Sequence, residues 1–136
     1  QEIYANAGAE IDLPSALNEM ISRGSKIPGG ACGFWGACGA AVSTGMFMSI
    51  ITGSTPLGFK EWGYSNLMTS RSLAGIGEIG GPRCCKRNSY MSVLSAVEYV
   101  EEVTGIRMEK SDIKCTHTAS NRQCIGTRCP FHPSNQ

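Results

Sequence analysis

Hydrophobic and polar positions along the chain recur at helical intervals and predict a domain built almost entirely from helices. The first helical segment follows Asp12, a residue type that caps helix N-termini, and ends at Gly24. Leu13, Leu17 and Ile21 share one face of this segment. An apolar face of this kind is typical of a helix that packs on a core.

Three further helical patterns follow, separated by glycine and proline residues that break helices. They predict helices over about 38–52, over about 60–79, and from a cap at Asn88 or Ser89 to just before Gly105. Residues 25–37 form a glycine-rich loop, and the chain becomes irregular from Ile106 onward. The fold class expected is all-α, with a single domain of about four to five helices, glycine-rich loops and an irregular, cysteine-bearing C-terminal arm.

Chain length and net charge restrict the classes of function that this protein can have. The 136 residues have the size of one domain, so we assign residues 1–136 to a single cysteine-rich helical unit. A net charge of +1 disfavours a nucleic acid or an anionic membrane surface as a partner. The apolar stretch from Ala37 to Ile51 is too short to span a bilayer. Because the chain begins with Gln1 and its first residues read like the end of a helix, we expect further N-terminal sequence upstream.

Cysteines dominate the candidate chemistry, and they lie in loops, at predicted helix starts or in the arm. The seven are Cys32, Cys38, Cys84, Cys85, Cys115, Cys124 and Cys129. An odd number, in a chain able to form a helical core, favours a reducing cytoplasm over a secreted disulfide framework. Thiolates are soft ligands of zinc and iron–sulfur centres and also nucleophiles, so each of the seven is a candidate metal ligand.

Helix N-termini carry several of these cysteines. Cys38 lies at the start of the second predicted helix, and Cys84 and Cys85 lie just before or inside the first turn of the fourth. Unpaired N–H groups and the positive end of the helix dipole favour a thiolate there. Cys32 and Cys38 are the candidate catalytic residues. The alternative is that these cysteines behave as small buried hydrophobes and that the neighbouring glycines only form a tight turn.

The arm carries Cys115, Cys124 and Cys129 at a spacing that fits none of the common zinc-ribbon patterns. An arm with few apolar residues needs something to hold it, and metal–thiolate bonds would do so. We therefore predict that these three, with Cys84 or Cys85, bind one cofactor. A loosely ordered tail is the alternative.

Basic residues surround the cysteine segments. Arg71, Arg83 and Arg122 are the candidate substrate-binding residues, because a guanidinium can bind an anionic substrate or offset the charge of several thiolates. The alternative is that each of them contributes only to solubility.

Four segments together carry a resemblance to a known family. They are 29–41 (GGACGFWGACGAA), 66–73 (NLMTSRSL), 80–87 (GGPRCCKR) and 121–130 (NRQCIGTRCP). These segments resemble an uncharacterised cysteine-rich domain family of anaerobic bacteria and archaea, in which some members are joined to methyltransferase-like or zinc-ribbon-like segments. The resemblance implies a cytoplasmic protein of anaerobic metabolism with further N-terminal sequence, and it brings no known activity with it.

The leading hypothesis is an iron–sulfur protein, with a [4Fe-4S] cluster, that has a redox or sulfur-transfer role and takes a small anionic or sulfur-containing substrate. Cys32 and Cys38 would complete the cluster, hold a second centre or act as a thiol pair beside it. One alternative is a structural zinc-binding interaction module, and another is a metal-free enzyme with Cys38 or Cys84 as its nucleophile. Small residues on the second predicted helix are compatible with packing inside the monomer or across a homodimer.

Overall fold

A computed structural model of the chain describes residues 10–135, which form five α-helices and two short 3₁₀ turns. The helices are α1 (Leu13–Gly24), α2 (Ala31–Phe34), α3 (Gly39–Thr52), α4 (Lys60–Ile79) and α5 (Cys85–Thr104). The 3₁₀ turns cover Gly126–Arg128 and Pro133–Asn135. No strand occurs in this range, so the predicted all-α class is confirmed.

The helix boundaries agree with the sequence pattern except near α5 and in the glycine-rich loop. The predicted cap at Asn88 or Ser89 is wrong, because α5 begins at Cys85 and Cys84 occupies the N-cap position. The backbone N–H of Asn88 already donates to the Cys84 carbonyl at 3.0 Å, which makes Asn88 part of the helix. The short helix α2 also lies inside the segment predicted to be a loop.

Helix α3 lies at the centre of the fold and packs against α1, α4 and α5. It lies close to α4 at Gly45, where an added Cβ atom would collide with Thr69 Oγ1 and lie 2.9 Å from the Ser65 carbonyl oxygen. Gly45 therefore serves packing within the chain. The buried core between these helices consists of Met48, Met68, Ala96, Tyr99 and Val100.

The apolar face of α1 does not enter this core, contrary to the expectation from its pattern. Leu17 is 53% exposed and Ile21 is 70% exposed. Helix α1 instead lies against α3 through the side that carries Arg23, whose Nη1 donates to Ser49 Oγ at 2.9 Å. The helical periodicity thus predicted the amphipathic helix correctly. The side of the helix that packs on the rest of the fold depends on the neighbouring elements.

The C-terminal arm returns to the start of α5. The part of the arm that carries its cysteines closes on itself where the Cys115 backbone N–H donates to the Phe131 carbonyl at 2.9 Å. The buried ring of Phe131 packs edge-on against Tyr90 of α5. Ile106 and Met108, at the beginning of the arm, pack against the core. Within the described range, none of the helices is both long and apolar enough to cross a membrane.

Candidate metal centre

Four cysteines from distant parts of the chain line one small cavity at the start of α5. Cys84 comes from the helix N-cap, and Cys115, Cys124 and Cys129 come from the arm. We call this site the four-cysteine cavity; Arg87, Asn121 and His132 also line it. Its volume is about 20 Å³, which is room for little more than one water molecule. The three arm cysteines thus line one cavity with Cys84, and their binding of one cofactor stays a prediction.

The other three cysteines line a larger and more open site on the neighbouring side of α5. Cys32 belongs to α2, Cys38 is the N-cap of α3, and Cys85 is the first residue of α5. This three-cysteine groove has a volume of about 360 Å³ and is also lined by Arg83 and Asn88. The cysteines from the two loop–helix junctions and the arm are therefore divided between two sites.

Backbone geometry explains why the two adjacent cysteines separate. Cys84 has extended φ and ψ angles of −135° and 103°, while Cys85 already belongs to the helix. In an extended backbone, successive side chains point to opposite sides. One thiol therefore reaches the four-cysteine cavity and its neighbour reaches the three-cysteine groove.

Hydrogen bonds to sulfur occur at three of the four cavity cysteines. The backbone N–H of His117 donates to Cys115 Sγ, and that of Gly126 donates to Cys124 Sγ, both at 3.4 Å. Each donor lies two residues after its cysteine, and the second turn requires a positive φ of 61° at Gly126, which favours glycine. Donors aimed at sulfur stabilise a thiolate more than a thiol, because the acceptor then carries a charge.

The third of these hydrogen bonds connects the arm to the helix. Asn121 Nδ2 donates to Cys84 Sγ at 3.4 Å, and Asn121 Oδ1 accepts from the Gln123 backbone N–H at 3.0 Å. The second bond fixes the side chain in a local turn, so its amide is held towards the N-cap of α5. The arm is therefore oriented on the helix at the position of a cysteine sulfur.

A buried positive charge borders the same cavity. Arg87 is only 3% exposed, and its Nη2 donates to the carbonyl oxygens of Gly80 and Pro82, each at 2.9 Å. Its Nε has no hydrogen-bond partner, and no carboxylate of the described residues forms an ion pair with it. A buried charge is costly unless an opposite charge compensates it, and the thiols that line the same cavity would supply one as thiolates.

The predicted substrate-binding arginines lie in three different environments. Arg83 is exposed and lines the three-cysteine groove. Arg71 forms an ion pair with Glu102 at 2.6 Å and lies over the ring of Tyr99, 4.4 Å from its centroid. This hydrogen bond to Glu102 raises the pKa of Arg71 and lowers that of the carboxyl group. Arg122 is exposed, and neither it nor Arg71 lines either cysteine site.

Sequence reasoning missed the residues that complete the two sites. Arg87 was not among the candidate site residues, Asn88 was predicted to be a cap, and Asn121 received no role. In α5, Arg87, Asn88 and Ser92 are buried polar residues on the first part of the helix, where an ordinary amphipathic helix would bury apolar ones. A helical plot of α5 that tracked polar residues on its inner face could have revealed this group.

The thiols surround the two sites without converging on one point. All seven cysteines have free thiols. Within residues 10–135, no group of three or more His, Cys, Asp or Glu side chains is arranged to hold a single metal ion. The donor atoms are nevertheless the soft sulfur ligands that suit zinc and iron–sulfur centres, and a buried cation and N–H donors face them. The chemistry of the four-cysteine cavity therefore fits a metal–thiolate centre.

Together, the helical fold and its thiol-lined sites define an all-α domain whose cysteines are gathered around the start of one helix. Residues 2–132 match a family of unknown function, DUF5714. The match covers nearly the whole chain, and the protein belongs to this family. No curated protein and no solved structure matches the chain significantly.

Proposed function

We propose that this protein binds an iron–sulfur cluster in the four-cysteine cavity and has a redox or sulfur-transfer role. The observation that carries the proposal is the gathering of Cys84, Cys115, Cys124 and Cys129 around one cavity. Four cysteine thiolates are the usual ligands of a [4Fe-4S] cluster. These cysteines are separated by up to 45 positions in sequence, and a shared metal centre would account for their meeting at one cavity.

Cysteine ligands are compatible with two kinds of centre, a cluster and a single zinc ion. One zinc ion needs all four sulfurs at about 2.3 Å from the same point. In a cluster each thiolate binds a different iron, so the sulfurs lie farther from one another. Within residues 10–135 no group of three thiols is arranged around one ion, so the thiols would have to move to bind either centre. A [4Fe-4S] core is also larger than the void of about 20 Å³, so the arm would have to open to admit it.

The surrounding residues would tune such a centre. The N–H groups of His117 and Gly126 and the amide of Asn121 would donate to ligand sulfurs, and the Arg87 guanidinium would offset the net negative charge of four thiolates. Hydrogen bonds to sulfur and nearby charge are what set the reduction potential of a cluster. When bound, the cluster supplies one-electron chemistry. A cytoplasmic protein of anaerobic metabolism is consistent with free thiols and an oxygen-sensitive centre.

Anaerobic purification of the full chain, followed by iron and acid-labile sulfide analysis, tests the proposal. We expect stoichiometric iron and sulfide with visible absorption, and a substantial loss of both in Cys124→Ser. Thr127→Ser, on the adjacent turn, is the matched control and should retain the wild-type content. Anaerobically reconstituted protein with neither iron nor sulfide would refute the cluster.

Zinc is the second candidate, and the small volume of the cavity favours it. A closed set of four thiolates is typical of structural zinc sites, which stabilise a fold without doing chemistry. The same elemental analysis separates the two candidates, since a zinc module would contain zinc, no sulfide and no colour. In that case the protein would be an interaction module whose arm depends on the metal.

A further inference from the structure

We propose that the three-cysteine groove is a second cluster site, with three thiolate ligands and one open coordination position. The ligands would be Cys32, Cys38 and Cys85, which line the groove together. This site is distinct from the four-cysteine cavity and does not depend on it for its ligands. A cluster held by three cysteines leaves one iron free to bind a small molecule, as open metal sites do.

The volume and openness of the groove separate it from the cavity. The groove offers about 360 Å³, whereas the cavity offers about 20 Å³. Cys85 is exposed, and Cys32 and Cys38 are half-buried, so none of the three residues is enclosed in the core. The site therefore has room for a cluster and for a ligand on its open side.

Asn88 provides an independent indication that the groove is a built site. Its Nδ2 donates to Cys38 Sγ at 3.4 Å across 50 positions of sequence. Its Oδ1 is buried and has no hydrogen-bond partner among the described residues, although Asn88 is only 5% exposed. A buried acceptor without a partner is destabilising, so its retention beside three thiols points to a ligand that carries a donor.

The polar residues of the groove indicate the ligand class. Arg83 brings an exposed guanidinium, and Ser43 and Ser89 bring hydroxyl groups to the same lining. This set suits a small anion with a hydrogen-bond donor, held beside the open iron. The adjacent cysteines Cys84 and Cys85 would connect the two centres through a single peptide bond, since consecutive Cα atoms lie about 3.8 Å apart.

Two triple variants of the full chain separate the groove from the cavity. The groove variant carries Cys32→Ser, Cys38→Ser and Cys85→Ser, and the cavity variant carries Cys115→Ser, Cys124→Ser and Cys129→Ser. After anaerobic reconstitution with ferrous iron and sulfide, we expect each variant to hold about half of the wild-type iron and sulfide. A groove variant that holds as much iron as the wild type would overturn the second centre. Fast alkylation of Cys38 in the wild-type protein would be further evidence against it.

The outcomes distinguish this inference from the proposed function. If the cavity variant retains all the wild-type iron while the groove variant loses it, the proposed cavity cluster fails and the groove site stands. Circular dichroism checks that both variants fold.

Because the cavity variant loses residues that hold the arm, a second measurement uses wild-type protein. Cyanide, a small anionic probe of open iron, should change the electron paramagnetic resonance spectrum of reduced wild type but not that of the groove variant. An unchanged wild-type spectrum would overturn the open position.

Discussion

The ring of Phe131 meets the ring of Tyr90 edge-on, with centroids 5.3 Å apart and planes at 76°. Tyr90 belongs to α5, and Phe131 lies at the far end of the arm. The Phe131 carbonyl also accepts from the Cys115 backbone N–H, so this contact closes the arm on itself and on the helix. This packing and this hydrogen bond therefore hold Cys115 and the Phe131 end of the arm against α5.

Phe131→Ala should destabilise the metal-free protein substantially. Truncation of a buried phenylalanine costs about 3–5 kcal/mol, since it removes apolar contacts and leaves a cavity. Phe59→Ala is the matched control, because Phe59 is 91% exposed and its loss should change stability by less than about 0.5 kcal/mol. Urea unfolding of apo-protein measures both. Equal effects of the two substitutions would contradict the packing described for the arm.

Asn121→Leu should weaken metal retention while leaving the helices intact. The substitution keeps the approximate size of the side chain and removes the donor to Cys84 Sγ. Loss of a residue that orients a metal ligand typically lowers metal affinity by about 10–100-fold. The rate and midpoint of metal loss to a chelator measure the effect. Asn66→Leu, at an exposed position of α4, should behave as wild type. A variant that retains metal as wild type does would remove Asn121 from the site.

Arg87→Met should reduce both the stability of the fold and the metal content. The carbonyl oxygens of Gly80 and Pro82 would lose their charged donor, at a cost of about 1.5–3 kcal/mol, the typical value for a hydrogen bond to a charged group. The metal-loaded protein should lose more stability than the apo-protein, because the buried charge also faces the thiolates. Arg83→Met, at an exposed position, is the control for stability. Thermal melts of loaded and apo samples give the comparison, and an equal loss in both would argue against charge compensation.

Gly45→Ala should disrupt the packing of α3 on α4. The new methyl group would meet Thr69 Oγ1 and the backbone oxygen of Ser65, and the backbone atom cannot rotate away. Overpacking of this kind typically costs about 1–3 kcal/mol. Gly63→Ala, inside α4 with no atom within 4 Å of the new Cβ, should instead stabilise by roughly 0.5–1 kcal/mol through helix propensity. Chemical denaturation should therefore give opposite signs for the two substitutions.

Glu102→Gln should make the free energy of unfolding depend less on pH in the acid range. Arg71 lowers the pKa of the Glu102 carboxyl group in the folded protein below its unfolded value, chiefly through their hydrogen bond. As the pH falls, the unfolded chain therefore binds the proton before the folded protein does. The stabilising contribution of Glu102 is present above the unfolded pKa of about 4.3 and is lost as the pH falls through the folded pKa. Unfolding of wild type and variant between about pH 3 and pH 6 tests this. Glu78→Gln, at an exposed position of α4, should leave the slope unchanged.

The sequence by itself determined the helices and the chemistry available to them. The α4 boundaries, Lys60 to Ile79, and the end of α3 at Thr52, just before Gly53, follow from apolar periodicity and from glycines that end helices, because both are local properties of the chain. The seven thiols, and the position of Cys38 at a helix start, were likewise readable from residue order.

Only the tertiary structure decided which residues meet. The division of Cys84 and Cys85 between two sites depends on one extended residue at a helix cap, and the buried Arg87 donates to the carbonyl oxygens of Gly80 and Pro82, which precede the helix. Likewise, the apolar face of α1 is exposed because α3 packs against the side of α1 that carries Arg23. Such pairings join residues tens of positions apart, and hydrophobic periodicity contains no information about which distant face or thiol a side chain will contact.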